Sequence, residues 1–589
     1  MNKHLCTAML IFSKSARLER FKKELLPLIL LFALAFTIRF MGGAWETRWD
    51  NDAYMARQSE HIYSFGHPAV PDPFSSSPLY QPGMAYLLAF VGWITDFIPY
   101  KFALPGMIIS EGLVPPLLGA ATVLVVYWFA KSLFNKPAGV IAGVLASFSY
   151  FLISRTMKGF VFHNALSLFL IILTVTVAWQ ALKTIEESFP RDFKSRTVYL
   201  ATILAPAVLI GLTGFTWGGY FILHAILFFY GLLLTAFTLI SRNSLNSDKN
   251  YLLKTWVFIC STLLLGSLLA LMLYPVRGPP EILRAAQMLR FAEGPLVYKF
   301  TADLHAPVLG NFDALFGSFL VIGVALTAIG VYGLYKRDEE RGLYLLVALL
   351  VTLVPAVRAY HFIDIFSMFA YTALGIGAAF LVERARRNEQ KFLWKKLVAV
   401  AVLIILGIAF VNPVIGSLPA VRFSYTIKPE WKDAFCYIKN NTDPDSLFIN
   451  WWDYGNSLAY FAQRRSVIDQ MHFPDDEVTA VSSVIMATDP EEGLQIARTL
   501  KQQHNSSEVY LMLFLNDAFI SPVIGYAAGY KQASVNESIV MICDEHGRLV
   551  GMNDLTNQTT YYRLWTKQSI AGYTPFYANN EVKIYRLNV

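Results

Sequence analysis

Residues 25–40 read Leu-Leu-Pro-Leu-Ile-Leu-Leu-Phe-Ala-Leu-Ala-Phe-Thr-Ile-Arg-Phe, directly after a basic stretch holding Lys14, Arg17, Arg20, Lys22 and Lys23. A basic head before an apolar run is also how a signal peptide begins, but no small-residue cleavage site follows. Instead Arg39 is followed by Trp45 and Trp49, an interfacial pattern. The stretch therefore reads as an uncleaved first membrane helix with its N-terminus in the cytoplasm, and the segment after it is external. Further apolar runs lie at about 108–132, 137–154, 163–181, 198–213, 216–240, 255–274, 313–334, 342–357, 359–383 and 397–411, which makes eleven with the first. A bilayer core takes about 20 helical residues, so the joined runs between 198 and 274 have room for one further pair, and the odd count survives. Basic loops at 183–196, 242–254, 336–341 and 384–396 all fall on the inner side of this topology.

The whole composition agrees. Over 589 residues, 55% hydrophobic and 15% charged do not fit a soluble globular surface, and they exclude disorder, collagen-like repeats and a small disulfide scaffold. The net charge of +7 sits in short segments beside apolar runs, so it implies retained loops and not nucleic acid. Four external pieces follow: loop 42–105, a turn near 155–163, loop 275–312, and everything after 412. The last piece carries the strand-like VYLMLFL (509–515) and EVKIYRL (581–587), mixed with helical stretches. The expected fold is a polytopic α-helical membrane domain, residues 1–411, followed by an external α+β soluble domain, residues 412–589. Sequons at Asn440, Asn505, Asn536 and Asn557 are compatible with exposure outside, and of the four cysteines only Cys436 and Cys543 are placed to pair there.

In that external domain stands Trp451-Trp452-Asp453-Tyr454-Gly455. Two indole N–H groups and a carboxylate in a row are costly inside a core strand, because each needs a buried partner. They suit a small polar pocket around a hydroxyl and its methyl group, the shape of a Ser or Thr side chain. A Trp-rich domain corner is the alternative the residues leave open.

This pentapeptide behind a multi-spanning membrane domain resembles the catalytic subunit of the oligosaccharyltransferase family, most of all its short archaeal AglB type. The resemblance covers the whole chain and implies thirteen helices. It implies that Trp451, Trp452 and Asp453, with Tyr454 and Gly455, grip the hydroxyl residue of an Asn-x-Ser/Thr sequon. In the first external loop, Trp49-Asp50-Asn51-Asp52-Ala53-Tyr54 matches the family's first acidic motif. There Asp52 is the expected metal-holding and amide-binding carboxylate. An interfacial charge cluster with Arg48 is the alternative. The second acidic motif departs from the family: aligned on Arg155 and Gly159, its two acidic positions become Phe162 and Asn164. Asn164 still offers a carbonyl oxygen and His163 an imidazole, without the missing charge. Arg155 matches an Arg that contacts the lipid-linked phosphate, and Arg358 in VPAVRAYHFID matches a second one. In the loop before the last helices, Asp303 in FTADLHAP stands for the family's acidic residue, with Glu293 as fallback. Past the pentapeptide, Asn516-Asp517-Ala518-Phe519-Ile520-Ser521-Pro522-Val523-Ile524 is nearest to the family's kinked helix, which implies that Asp517, Ile520 and Ile524 share one face towards the acceptor.

The resemblance implies transfer of a glycan from a polyisoprenyl phosphate to Asn, with Mn2+ or Mg2+, in a single-subunit plasma-membrane enzyme that takes an acceptor polypeptide. Two rival readings stand: a polyprenyl-phosphate-sugar glycosyltransferase acting on lipid or Ser/Thr, and a lipid-glycan flippase. The pentapeptide argues against the first. External acidic residues and the lack of repeated halves argue against the second.

Overall fold

The computed structural model describes residues 24–42, 51–70, 72–74, 82–97, 106–187, 193–240, 249–273, 306–316, 320–386, 427–530, 538–543 and 549–589. Within these, the chain forms two compact units. One gathers the first helix, the residues from Gly112 to the end of the helix at Leu273, and those from Ala306 to Arg386; the other gathers Asn51 to Glu111 and everything from Ile427 onward.

The first unit is helical. Among the described residues, eight helices are long and apolar enough to cross a membrane: Glu24–Met41, Gly106–Leu133, Asn164–Ile185, Thr197–Thr216, Gly218–Ile240, Tyr251–Leu273, Leu320–Arg337 and Tyr360–Ala385. Helix Glu339–Ala356 adds a further apolar element. The protein is a multi-pass membrane protein. Ten of the eleven apolar runs coincide with these helices or with Lys136–Ser147; the run at 397–411 lies outside the described residues. One boundary differs from expectation. The run at 137–154 is two helices, Lys136–Ser147 and Tyr150–Ser154, because Ser149 adopts an extended conformation and caps the second. The Asn135 side chain accepts from the Ala138 amide at 3.0 Å and Pro137 occupies the first turn, so the start of the first helix is fixed locally.

Small residues set the packing. A Cβ on Gly330 would collide with the Ala373 carbonyl, and one on Gly377 with the Leu326 carbonyl, so helices Leu320–Arg337 and Ile363–Arg386 approach backbone to backbone. Helix Ile363–Arg386 also lies on Lys136–Ser147, where Gly375 faces Ala138 and Ala142. The span that includes it is 83% buried over its most apolar window, the central element of the bundle.

The second unit is built on a five-stranded sheet. Its strands are β1 (Leu447–Ile449), β2 (Arg465–Ser466), β3 (Val509–Phe514), β6 (Tyr573–Ala578) and β7 (Val582–Leu587), in the order β2-β1-β3-β7-β6; β4 (Met541–Cys543) and β5 (Leu549–Gly551) form a separate ribbon. β2, β1 and β3 run parallel, and β7 pairs antiparallel with β3 and β6. Every residue of β3 is buried, as a central strand covered on both faces requires. Helices Pro429–Asn441, Asp475–Met486 and Pro490–Gln503 bury Trp431, Phe435, Val481, Ile485, Leu494 and Ala497 in its core. Cys436, on the first of these, is a free thiol.

Residues 51–97, expected as an external loop, contain two helices of this same unit, Asn51–Phe65 and Gly83–Asp96. They pack together: the Tyr63 hydroxyl donates to Asp96, Trp93 Nε1 donates to the Tyr63 carbonyl at 2.9 Å, and the connection is held where Asp72 accepts from Arg57 at 2.5 Å and Gln58 at 3.1 Å.

Candidate functional site

Three segments gather at the C-terminal ends of the parallel strands, where α/β sheets place their ligand sites. The pentapeptide follows β1, the loop holding Gln470 follows β2, and the helix Leu515–Phe519 follows β3. Trp451 is buried and its ring lies 3.9 Å from that of Trp452, which is nearly buried as well. Asp453 is partly exposed; it accepts a hydrogen bond from Gln470 Nε2 at 3.2 Å and one from the Trp452 indole. Desolvation pushes its carboxyl up to about 6 against those two donors. Tyr454 stacks on Phe514 with ring centres 3.5 Å apart and meets Trp431 edge-on. Gly455 lies where a Cβ would come within 2.5 Å of the Ile468 carbonyl, so only glycine lets the two loops touch.

Asp517 is fully buried, accepts the Phe514 amide at 3.0 Å and pairs with the Tyr454 hydroxyl; burial pushes its carboxyl up to about 8. The kink after it is real. Helix Leu515–Phe519 ends at Ile520, and Ser521–Ala527 restarts with Pro522 in its first turn. The single face expected for Asp517, Ile520 and Ile524 is therefore divided: Asp517 turns to Tyr454, Ile520 stays partly exposed, and Ile524 packs fully buried beside Gly525 and Ile539 in the core. Asp52, 3% exposed, sits in the first turn of Asn51–Phe65. That helix packs on the residues after the pentapeptide, Gly455–Ser457 and Leu458–Ala462, and Tyr460 donates to Glu60 across the contact at 2.8 Å. The unit thus brings the helix that carries Asp52 against the helical turns that follow Trp451, Trp452 and Asp453.

A second cluster lies within the helical unit. Arg155 Nε stands 3.8 Å from the Asp364 carboxylate, which is buried at the start of Ile363–Arg386. Buried His163 is within electrostatic reach of Arg155 and His361, and its ring lies 4.0 Å from Phe162. Asn164 is buried, and its Oδ1 has no hydrogen-bond partner among the described residues. Gly159 has φ +80°, a conformation that explains glycine in this turn. Arg358 is exposed in the turn after Glu339–Ala356, with its amide bonded to the Pro355 carbonyl. Asp303 and Glu293 lie outside the described residues.

Three side chains were not singled out for this site by sequence. Gln470 carries no local signal. Asp364 was visible only as a charge near Arg358. Arg39, an Arg within an apolar helix, did carry a signal. It is fully buried and donates to Thr156 Oγ1 at 2.8 Å, Ala35 O at 3.1 Å, Ser147 O at 3.3 Å and Ala146 O at 3.4 Å, fixing the residue next to Arg155.

Fold and site define a multi-pass membrane protein whose soluble domain holds a carboxylate beside a pair of closely packed indoles at the C-terminal ends of its parallel strands. More particularly, the chain belongs to the oligosaccharyl transferase STT3 family: the family's N-terminal model matches residues 40–413, and the STT3/PglB/AglB core domain matches residues 444–530. Dolichyl-phosphooligosaccharide-protein glycotransferase 1 of Archaeoglobus fulgidus is 20% identical over 92% of this chain and 97% of its own length. Glycotransferase 2 of Pyrococcus furiosus is 22% identical over 64% of this chain; the match spans 56% of that relative's length. The structure of the archaeal oligosaccharyltransferase AglB from Archaeoglobus fulgidus with an inhibitory peptide and a dolichol-phosphate superposes with a TM-score of 0.72, at 16% identity, over 95% of this chain and 80% of that one. A structure of the Archaeoglobus fulgidus enzyme in complex with Zn and sulfate gives a TM-score of 0.64, at 15% identity, over 94% of this chain and 78% of that one. At those identities the likeness is one of fold.

Proposed function

We propose that this protein transfers an oligosaccharide from a polyisoprenyl (dolichyl) phosphate carrier to the side-chain nitrogen of Asn in external Asn-x-Ser/Thr sequons. The observation that carries the reading is the buried Trp451–Trp452 pair beside Asp453 at the end of β1, in a chain of this family. In the reaction the sugar C1–O bond to phosphate breaks, a C1–N bond forms with inversion, the phosphate leaves with the electron pair, and the amide loses one proton. An amide nitrogen is a poor nucleophile, so Asp52 and Asp303 are assigned the hydrogen bonds that draw its N–H groups out of conjugation. Arg155 and Arg358 are assigned the donor phosphate; Asp364 would keep Arg155 oriented. The sequon hydroxyl is assigned to Trp451, Trp452 and Asp453, backed by Tyr454 and Gly455, with Asp517, Ile520 and Ile524 on the neighbouring kinked segment.

The resemblance assigns a divalent ion, Mn2+ or Mg2+, to Asp52, His163, Asn164 and Asp303. No group of three or more His, Cys, Asp or Glu side chains able to hold a metal occurs among the described residues. The Asn164 Oδ1, which has no hydrogen-bond partner among the described residues, is the donor that a hard cation suits. Such an ion would neutralise the departing phosphate. The same reading puts the N-terminus in the cytoplasm, the 412–589 domain outside a plasma membrane, and the activity in a single subunit.

The test uses the detergent-solubilised full chain, a lipid-linked glycan and fluorescent sequon peptides. Glycan on Asn of a Thr or Ser peptide, and little on an Ala peptide, is the expected result. Glycan appearing instead on lipid or on a Ser/Thr hydroxyl would favour the glycosyltransferase reading, and lipid translocation without transfer the flippase.

A further inference from the structure

The loop after β2, residues 467–472, is held more firmly than its length requires. Ser466 Oγ lies 2.6 Å from the Ile468 carbonyl and 3.0 Å from Asn450 Oδ1, its one proton shared between these acceptors, and Asn450 Nδ2 donates to the Trp451 carbonyl at 2.8 Å. Asp469 is buried; one of its carboxylate oxygens accepts the amides of Met471 at 2.6 Å and His472 at 2.8 Å, and its backbone exchanges two bonds with His472. His472 Nε2 in turn lies 3.0 Å from Glu477. Together with the close approach at Gly455, these contacts tie the loop to the turn of Trp451, Trp452 and Asp453. The residue they fix in place is Gln470.

Gln470 faces Asp453 with one end of its amide, at 3.2 Å. A carboxylate only accepts, so the facing atom is the NH2 group. The other end, Oε1, is buried and has no hydrogen-bond partner among the described residues. A buried acceptor left unmade is a cost that a native fold rarely leaves in place without a use. An extended peptide lying along the pocket brings backbone N–H donors, which an acceptor of this kind suits.

We propose that Gln470 is a specificity-determining residue of the acceptor pocket: its Nε2 fixes the Asp453 carboxylate towards the sequon hydroxyl, and its Oε1 accepts one backbone N–H of the bound acceptor peptide. This rests on the sequon reading above and adds a residue and a main-chain contact to it. Among the described residues, the titratable groups that act on Asp453 are Asp517 and Tyr454, and its hydrogen-bond donors are Trp452 and Gln470.

The experiment measures binding of a peptide series to the full-length solubilised protein and to its Gln470→Met and Gln470→Glu variants. The peptides carry Thr, Ser or Ala at +2, and a second set replaces each backbone amide around the sequon, one at a time, by an ester that lacks the N–H. In the wild type one ester position is expected to weaken binding about tenfold, the loss of one hydrogen bond, and in Gln470→Met the same ester is expected to cost nothing further. The preference for a hydroxyl at +2 falls about tenfold in Gln470→Met, and the pH at which peptide binding is half-maximal moves upward, because Asp453 has lost a donor that favours its ionised form. Gln470→Glu keeps the shape and an acceptor oxygen but removes the donor to Asp453, so the ester penalty is expected to remain while the hydroxyl preference falls and the pH midpoint rises, which keeps the Asp453 contact testable should Gln470→Met fold poorly. Ester effects that are the same in wild type and Gln470→Met, with a hydroxyl preference and pH midpoint unchanged in the variants, would overturn the assignment. A wild type that shows no hydroxyl preference would instead overturn the sequon reading itself.

Discussion

Asp453→Asn keeps the shape of the side chain and removes its charge, which makes it the sharpest probe of the pocket. The carboxyl, pushed up to about 6 by desolvation, is mostly ionised at about pH 7.5 and holds two donors, Gln470 at 3.2 Å and the Trp452 indole. A sequon hydroxyl would be its third. A hydrogen bond to a charged acceptor is worth about 1.5–3 kcal/mol, so replacing Thr by Ala at +2 should weaken wild-type peptide affinity and kcat/KM about 10- to 150-fold. The side-chain amide of the variant gives a neutral bond of about 0.5–1.5 kcal/mol, and the same peptide change should then cost only about 2- to 12-fold. The wild-type preference should also decay as pH falls through about 6, because the protonated carboxyl is a weaker acceptor, while the variant stays flat. The assay is peptide affinity and single-turnover transfer for the Thr, Ser and Ala series across that pH range. A variant with undiminished hydroxyl preference, or a wild-type preference that ignores pH, would refute the role given to Asp453.

Three further outcomes are expected. Asp52→Ala abolishes glycan transfer while membrane insertion and thermal stability stay normal; turnover at the wild-type rate would show that this carboxylate is not in the chemistry. Arg39→Met removes the donor to Ala146 O, Ser147 O and Thr156 Oγ1; Ala146 O keeps the Ser149 amide and Thr156 Oγ1 keeps the Leu152 carbonyl, so the main cost is the loss of the guanidinium bond to Ser147 O, about 1–3 kcal/mol, the melting temperature falls, and Arg39→Lys recovers part of the loss. Asp517 has its pKa raised from 3.8 to about 8 by burial; its contribution to stability is fully present below about 4 and is lost as pH rises through about 8, so the melting temperature falls across that window in the wild type and much less in Asp517→Asn. Equal slopes in both proteins would contradict the burial argument.

The sequence by itself determined the parts of this protein that a one-dimensional rule governs. A bilayer is a slab of fixed thickness, so apolar length alone located ten of the helices, and the residue pattern of 509–515 and 581–587 located β3 and β7. The pentapeptide was legible because two indoles and a carboxylate in succession have few uses in a core. Local breaks were harder: nothing in the apolar run 137–154 announced that Ser149 would turn and recap it, because hydropathy does not register a cap. The same holds for Asn51–Phe65, a largely polar helix whose order comes from packing within the second unit, whereas Gly83–Asp96 is apolar along its length. Only the tertiary structure decided what surrounds Asp453. Parallel pairing of β1 with β2 and β3 sets three chain segments, each separated by a crossover connection, at one edge of the sheet, and so brings Gln470 to Asp453 and Tyr454 to Asp517. Strand order and register arise from the burial of both faces of β3, a property of the whole core, which no short stretch of residues encodes.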